Sequence, residues 1–175
     1  LKLLSTNTTA IAYESVADEH GNLPLLSPMS AIAGNMAITI GSYYLQYAGD
    51  LRGSGVQLGD INGNTSGNVV VVGDGVVGRH AAKMASGMGS NVVLLGLDVE
   101  CQKYFGDGSD VIYRKSNKEN LEHYIKDADL VVGAVSIPGM KAPVVVTEDM
   151  VKSMRNGSVI VDVSIDQGGC IETSR

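Results

Sequence analysis

Two aspartates stand close together in VDVSIDQGG, residues 161–169. Asp162 lies inside a run of β-branched residues, and Asp166 lies just past it, before the pair Gly168–Gly169. A buried carboxylate is expensive unless donors pair with it or chemistry uses it. At a strand end both uses are open: satisfying local N–H groups, or moving a proton beside a bound ligand. A second constellation, Gly73-x-Gly75-x-x-Gly78, follows four valines and opens the helical pattern GVVGRHAAKMASGMG. At that spacing the first glycine makes the turn, the second lets backbone approach a pyrophosphate, and the third lets helix and strand pack closely. The helix N-terminus then offers free N–H groups and a positive dipole end to phosphates. The competing reading is a glycine-rich turn that only permits tight packing. Asp74 within the loop is unfavourable beside a pyrophosphate unless it points away.

The elements that must position these residues alternate regularly. NVVVV and NVVLL read as apolar strands around the GVVGRHAAKMASGMG helix. A short helical patch, a third strand near Val111–Tyr113 and a helix over Lys118–Lys126 follow. DLVVGAV is a fourth strand, TEDMVKSM a helix and SVIVDVS a fifth strand. Continuous apolar strands separated by helices signify a parallel sheet covered on both faces. The fold class is therefore α/β, a Rossmann-type doubly wound parallel sheet, in which ligands bind beyond the carboxyl ends of the strands. Both aspartates fall on that edge.

Ahead of this unit, NTTAIAYESV (7–16) reads as a strand. A helix then runs from Pro28 to about residue 48, with Ser27 as its cap and Pro28 at its first position. Met29, Ile32, Ala33, Met36, Ala37, Ile40 and Tyr44 recur at helical spacing as its apolar face, while Gly34 and Gly41 mark close packing against another element. The glycine-rich stretch 49–67 reads as a loop and places a boundary near residue 48. The expected organisation is thus residues 1–27 as the last strand and tail of an N-terminal substrate domain, 28–48 as a connecting helix, and 49–175 as a C-terminally truncated dinucleotide-binding domain.

Of the 175 residues, 44% are hydrophobic, enough for one sizeable core. A net charge of −6 disfavours a nucleic-acid partner, because phosphate neutralisation needs a basic face. Cys101 and Cys170 form neither a metal spacing nor a disulfide framework, so no metal site is expected and a reducing cytoplasm is the expected location. No apolar run reaches the roughly 20 residues of a membrane span, and no membrane partner is expected.

An acidic residue is expected at the end of the second strand, where it would hold the adenosine ribose. Gly96 occupies that position, and Asp98 follows two residues later as either a displaced ribose ligand or an ordinary turn residue. No arginine cluster follows the strand to receive a 2′-phosphate, which favours NAD over NADP.

Four stretches together resemble the alanine dehydrogenase family and its relative, the NAD-binding part of proton-translocating transhydrogenase. They are LPLLSPMSAIAGNMA, GDGVVGRHAAKMASGMG, ADLVVGAVSIPGMKAP and GSVIVDVSIDQGGCIETSR, spanning most of residues 23–175. The resemblance is closer to alanine dehydrogenase. It implies reversible oxidative deamination of L-alanine to pyruvate and ammonium, with hydride transfer to NAD. It makes Asp166 a catalytic residue beside the nicotinamide, with Val163, Ser164 and Ile165 lining that side, and leaves Asp162 to local N–H groups.

The same resemblance gives cofactor contacts to Ser30, to Val76 and Val77 in the loop, and to Val135 and Ser136 past the fourth strand. It adds Asn117 near the adenine and Arg175. Each has a plainer alternative, as a first-turn serine, a strand end, a helix cap or a solvated arginine. Gly96 and Cys101 depart from the family pattern, and Lys141 fits it without a role beyond a surface loop. The family's substrate-binding arginine and lysine and its catalytic histidine belong to an N-terminal domain missing from this chain, which alone is expected to bind cofactor and be nearly inactive. The family also implies a homo-oligomer, a hexamer. Two alternatives stay open: a transhydrogenase module, and a non-catalytic nucleotide-binding module.

Overall fold

The computed structural model describes residues 2–106, 108–137 and 139–175. Its centre is a five-stranded sheet. The chain first forms helix α1 (Ser27–Tyr44), then a hairpin of β1 (Gly59–Ile61) and β2 (Asn64–Ser66). Strand β3 (Asn68–Val72), helix α2 (Val76–Met88) and strand β4 (Asn91–Gly96) follow. A 3-10 segment (Val99–Phe105) leads to β5 (Val111–Lys115), α3 (Lys118–Ile125) and β6 (Leu130–Gly133), and α4 (Glu148–Ser153) precedes β7 (Val159–Asp162).

The large sheet is parallel throughout, in the order β5-β4-β3-β6-β7. That is the Rossmann arrangement, and the strand order reverses between β3 and β6. Successive valines of β3 point to opposite faces. Val69 and Val71 join Ala37, Ile38, Ala81 and Ala85 in one core. Val70 and Val72 join Leu121, Ile125, Val146 and Met150 in the other. Burial on both faces is why β3 reads as an unbroken apolar run.

Helix α1 packs on α2 through its small residues. A methyl group at Gly34 would stand 2.3 Å from the Val77 carbonyl oxygen, and one at Gly41 would stand 2.5 Å from a Leu130 methyl. Close approach at these glycines is as expected, but the buried face is not. Gly34, Ala37, Ile38 and Gly41 face inward, while Met29, Ile32, Met36, Ile40 and Tyr44 are exposed. The two stripes lie side by side on the helix; the bare Gly34 allows the approach to α2, and Gly41 leaves room for Leu130 of β6.

Three further expectations are corrected. Residues 7–16 form no strand: a 3-10 turn at Tyr13–Ser15 is their only regular element. A strand exists through its ladder, and this segment is paired with none of the described strands. Ser27 does not cap α1, because its N–H already donates to the Leu23 carbonyl at 3.0 Å and the helical turn begins upstream. Nor is 49–67 wholly a loop. Asn62 and Gly63, with φ of 54° and 80°, make the tight turn of the β1–β2 hairpin. The stretch is also pinned to the body, for Ser54 N–H donates to the Gly157 carbonyl and Gly55 N–H to that of Leu45.

Candidate cofactor and active site

The glycine loop divides its labour as the spacing requires. Gly73 has φ +112°, a conformation that a side chain would strain, and a Cβ there would press on the Ala134 carbonyl oxygen at 2.3 Å. A Cβ on Gly78 would stand 1.8 Å from the Gly73 carbonyl oxygen, so α2 and β3 meet only because it is absent. Gly75 has nothing within 4 Å of that position, leaving its outer face open for a ligand. Gly75 caps α2, whose interior ladder begins with Arg79 N–H donating to the Gly75 carbonyl at 3.0 Å. The amides before it are the first-turn groups that have no partner within a helix, and they stand beside the switch point.

Three adjoining cavities follow the carboxyl edge of the sheet, and Ser136 lines all of them. The first, about 500 Å³, brings Ser30 on α1 to Gly75, Val76 and Val77. The second, about 680 Å³, lies between the ends of β3 and β4 and the start of α3, with Gly73, Asp74, Gly96, Ser116, Lys118 and Val135 on its walls. The third, about 1120 Å³, holds Asp166 with Tyr13, Glu14, Met29 and Lys141. Such a crevice suits a dinucleotide laid across the switch point, with its pyrophosphate at Gly75. Pro138 of SIPGMKAP lies outside the described residues.

The two aspartates separate cleanly. Asp162 accepts from the N–H groups of Ser164, Cys170 and Ile171 at 3.1, 3.0 and 3.2 Å, and from the Ser174 hydroxyl at 2.8 Å. It ties the turn after β7 together. Burial, with the nearby Asp162 charge adding, pushes the Cys170 thiol up to about 11. The thiol therefore stays protonated at neutral pH and points to Asp162 at 3.4 Å. Asp166 sits on the exposed 3-10 turn Ile165–Gln167 and accepts no hydrogen bond from the described residues. Val163 and Ser164 lie just behind it, the Val163 N–H donating to the Gly133 carbonyl at 2.9 Å. Ser164 is buried and Ile165 exposed.

Three candidate residues are engaged elsewhere. Asp98 caps the 3-10 segment through the Glu100 N–H at 3.0 Å and pairs with Arg79 at 3.5 Å. Asn117 caps α3 by accepting from the Asn120 N–H at 2.8 Å, while its neighbours Ser116 and Lys118 line the cavity. The Arg175 guanidinium folds back onto the carbonyls of Glu172 and Ser174, both at 3.0 Å.

Asp74, Arg79 and Lys141 stand at or near the cavities without having been assigned a role from the sequence. Lys141 lays its aliphatic stem against Gly168. Arg79 is a cation close to the end of β4, supplied by a helix where the sequence after the strand offers no arginine. The only available signal was that Asp74 and Gly96 each broke an expectation.

Among the described residues no group of His, Cys, Asp and Glu gathers at metal-ligating distances. No helix there is long and apolar enough to cross a membrane.

Comparison with known proteins agrees with this fold. The chain is 50% identical over 173 residues to an alanine dehydrogenase of Methanococcus maripaludis, covering 98% of the chain and 46% of that protein. It is 45% identical over 174 residues to alanine dehydrogenase 2 of Staphylococcus aureus, again covering 46% of it. The chain thus spans about half the length of the curated relatives it matches. Among solved structures, an L-alanine dehydrogenase superposes with TM-score 0.85 at 44% identity, over 98% of this chain and 48% of that one. A transhydrogenase from Sinorhizobium meliloti, with TM-score 0.68 at 24% identity over 86% of this chain and 44% of that one, shares the fold. Residues 37–175 match the family model described as alanine dehydrogenase/PNT, C-terminal domain, and the chain belongs to that family.

Proposed function

We propose that this chain is the NAD-binding portion of an alanine dehydrogenase, which in its full-length form interconverts L-alanine and water with pyruvate and ammonium. The observation that carries this reading is the Asp166 carboxylate, which accepts no hydrogen bond from the described residues, at the cavity that adjoins the glycine-loop crevice. NAD, when bound, accepts the hydride released from the alanine Cα. The chain's own residues would hold the cofactor and supply one proton acceptor. Outward amides at Val76 and Val77 hold the pyrophosphate, with Ser30 and Ser136 beside it. Val135, Val163, Ser164 and Ile165 border the nicotinamide side, and Asp166 takes a proton from the substrate amine or from water. The half of the relatives' length that this chain does not match would carry substrate recognition. Residues 1–27, with Tyr13 and Glu14 lining the Asp166 cavity, would be the tail of that substrate domain, and 28–48, which hold most of α1, its connector.

Fluorescence titration with NADH, using NADPH as comparator, tests the cofactor reading: saturable binding that prefers NADH is expected. In the full-length protein Asp166→Asn should lower alanine oxidation about 10²- to 10⁴-fold, the range for losing a positioned proton acceptor. NADH affinity should stay close to wild type. An unchanged rate would leave the chain as a binding module only.

The exposed stripe Met29, Ile32, Met36 and Ile40 on α1, continued by Tyr43 and Tyr47, supports self-association as a homo-oligomer. Ile32→Glu should then shift the native mass to a smaller species in light scattering. Two buried, unbridged cysteines support a reducing cytoplasmic location.

A further inference from the structure

In doubly wound sheets an acid about 20 residues beyond the glycine loop, at the end of the second strand, accepts from the adenosine ribose hydroxyls. Here the second strand of the unit is β4, and its last residue, Gly96, has no side chain. The space is nevertheless filled. An ideal Cβ on Gly96 would meet the Asp74 carboxylate, with Oδ2 at 2.2 Å and Cγ at 2.3 Å. Asp74 has turned away from the pyrophosphate position and lies where a strand-borne acid would begin.

That carboxylate is held in place. Its Oδ2 accepts from the Asp98 N–H at 2.7 Å and the Tyr113 hydroxyl at 3.1 Å. The Asp74 carbonyl accepts from Arg79 Nε at 2.7 Å, which fixes the loop backbone beneath it. Burial and the adjacent carboxylate hold the Tyr113 phenol well above its usual range, so it remains a donor. Oδ1 accepts nothing from the described residues, and both Asp74 and Gly96 line the 680 Å³ cavity. Of the cations around it, Arg79 pairs with Asp98 at 3.5 Å and lies over the Tyr104 ring at 5.4 Å, and Lys118 on the cavity wall pairs with Glu122 at 3.7 Å. A 2′-phosphate placed there would face the Asp74 carboxylate, and among the described residues no arginine lines the cavity.

We propose that Asp74 supplies from the glycine loop the ribose-binding carboxylate that Gly96 lacks, and so selects a dinucleotide with a free adenosine 2′-hydroxyl over one carrying a 2′-phosphate. This rests on the dinucleotide reading of the crevice. It assigns to Asp74 a binding and specificity role that its place in the glycine motif does not suggest.

The overlap of the two positions makes the test a double-mutant cycle in the full-length protein, read by NADH and NADPH binding and by urea unfolding of the ligand-free protein. Asp74→Gly should weaken NADH binding about tenfold or more, the effect of losing hydrogen bonds to a charged acceptor. It should also narrow the preference over NADPH. Gly96→Asp alone should lower stability and weaken NADH, because two carboxylates then compete for one space. The double variant Asp74→Gly/Gly96→Asp should recover NADH affinity to within about threefold of wild type, the non-additivity expected of residues in contact. Asp74→Asn, which keeps the side-chain shape, covers the case in which the glycine variant does not fold. It should likewise narrow the NADH preference.

Wild-type NADH binding that survives Asp74→Gly or Asp74→Asn with affinity and preference unchanged would overturn the assignment of Asp74 alone. Failure of the wild-type protein to bind either dinucleotide would overturn the cofactor reading, and this proposal with it.

Discussion

Asp162 at the end of β7 and Asp166 on the turn that follows are opposites in their surroundings: the first accepts three backbone N–H groups and a hydroxyl, and the second accepts none from the described residues. Removing Asp162 should therefore be a stability defect. Asp162→Ala leaves the amides of Cys170 and Ile171 without their acceptor, which should cost about 2–4 kcal/mol in urea unfolding. Asp166→Asn should leave the unfolding midpoint within about 0.5 kcal/mol of wild type, as for an exposed substitution with no partner. Equal losses from both would contradict the division of roles.

The three glycines of the loop should respond differently to alanine. Gly75 has φ −69° and open space around it, so Gly75→Ala should fold normally and lose dinucleotide affinity, as its methyl intrudes on the ligand. Gly73→Ala and Gly78→Ala should each lower stability by at least about 2 kcal/mol, through backbone strain at the first and a carbonyl clash at the second. Unfolding curves beside NADH titrations separate the two outcomes.

Gly34 sets helix propensity against packing. Alanine in a helix interior is favoured over glycine by about 1 kcal/mol. At Gly34, however, the methyl would lie 2.3 Å from a backbone oxygen of α2, which cannot give way as a side-chain tip can. Overpacking costs about 1–3 kcal/mol, so Gly34→Ala should be net destabilising. Because that oxygen belongs to Val77, NADH affinity should fall too. A more stable variant would show that α1 can lift off freely.

Stability should decline on the alkaline side. Cys170 has an unfolded value near 9.0 and is raised to about 11 in the fold. Between those values the unfolded chain has lost its proton while the native chain keeps it, so unfolding becomes easier as pH rises. The contribution is fully present below about pH 9 and is lost as pH climbs through about 11. Burial raises Cys101, and burial with Asp74 raises Tyr113, in the same sense. Urea midpoints of Cys170→Ser should fall less steeply than wild type across this window. A parallel decline would place the titration elsewhere.

The five strands of the large sheet, the helices between them and the turn and packing roles of Gly73 and Gly78 could be read from residue order, because they rest on local repeats. Valine runs, the Asn117 cap and a G-x-G-x-x-G between strand and helix express backbone geometry over a few residues. The hairpin turn at Asn62–Gly63 escapes that reading, because the surrounding glycines make the whole stretch look like a loop. The inward face of α1 was not. Its larger apolar stripe predicts burial, and the stripe of Gly34, Ala37, Ile38 and Gly41 is buried instead because its glycines let α2 and Leu130 of β6 approach.

Nor could residue order pair Asp74 with Gly96, place Arg79 beside Asp98, or bring Ser30 and Asp166 to the same line of cavities. Those relations join distant parts of the chain. They exist because parallel strands deliver their carboxyl ends to one edge, where a side chain from one strand's loop can fill the space a neighbour leaves empty.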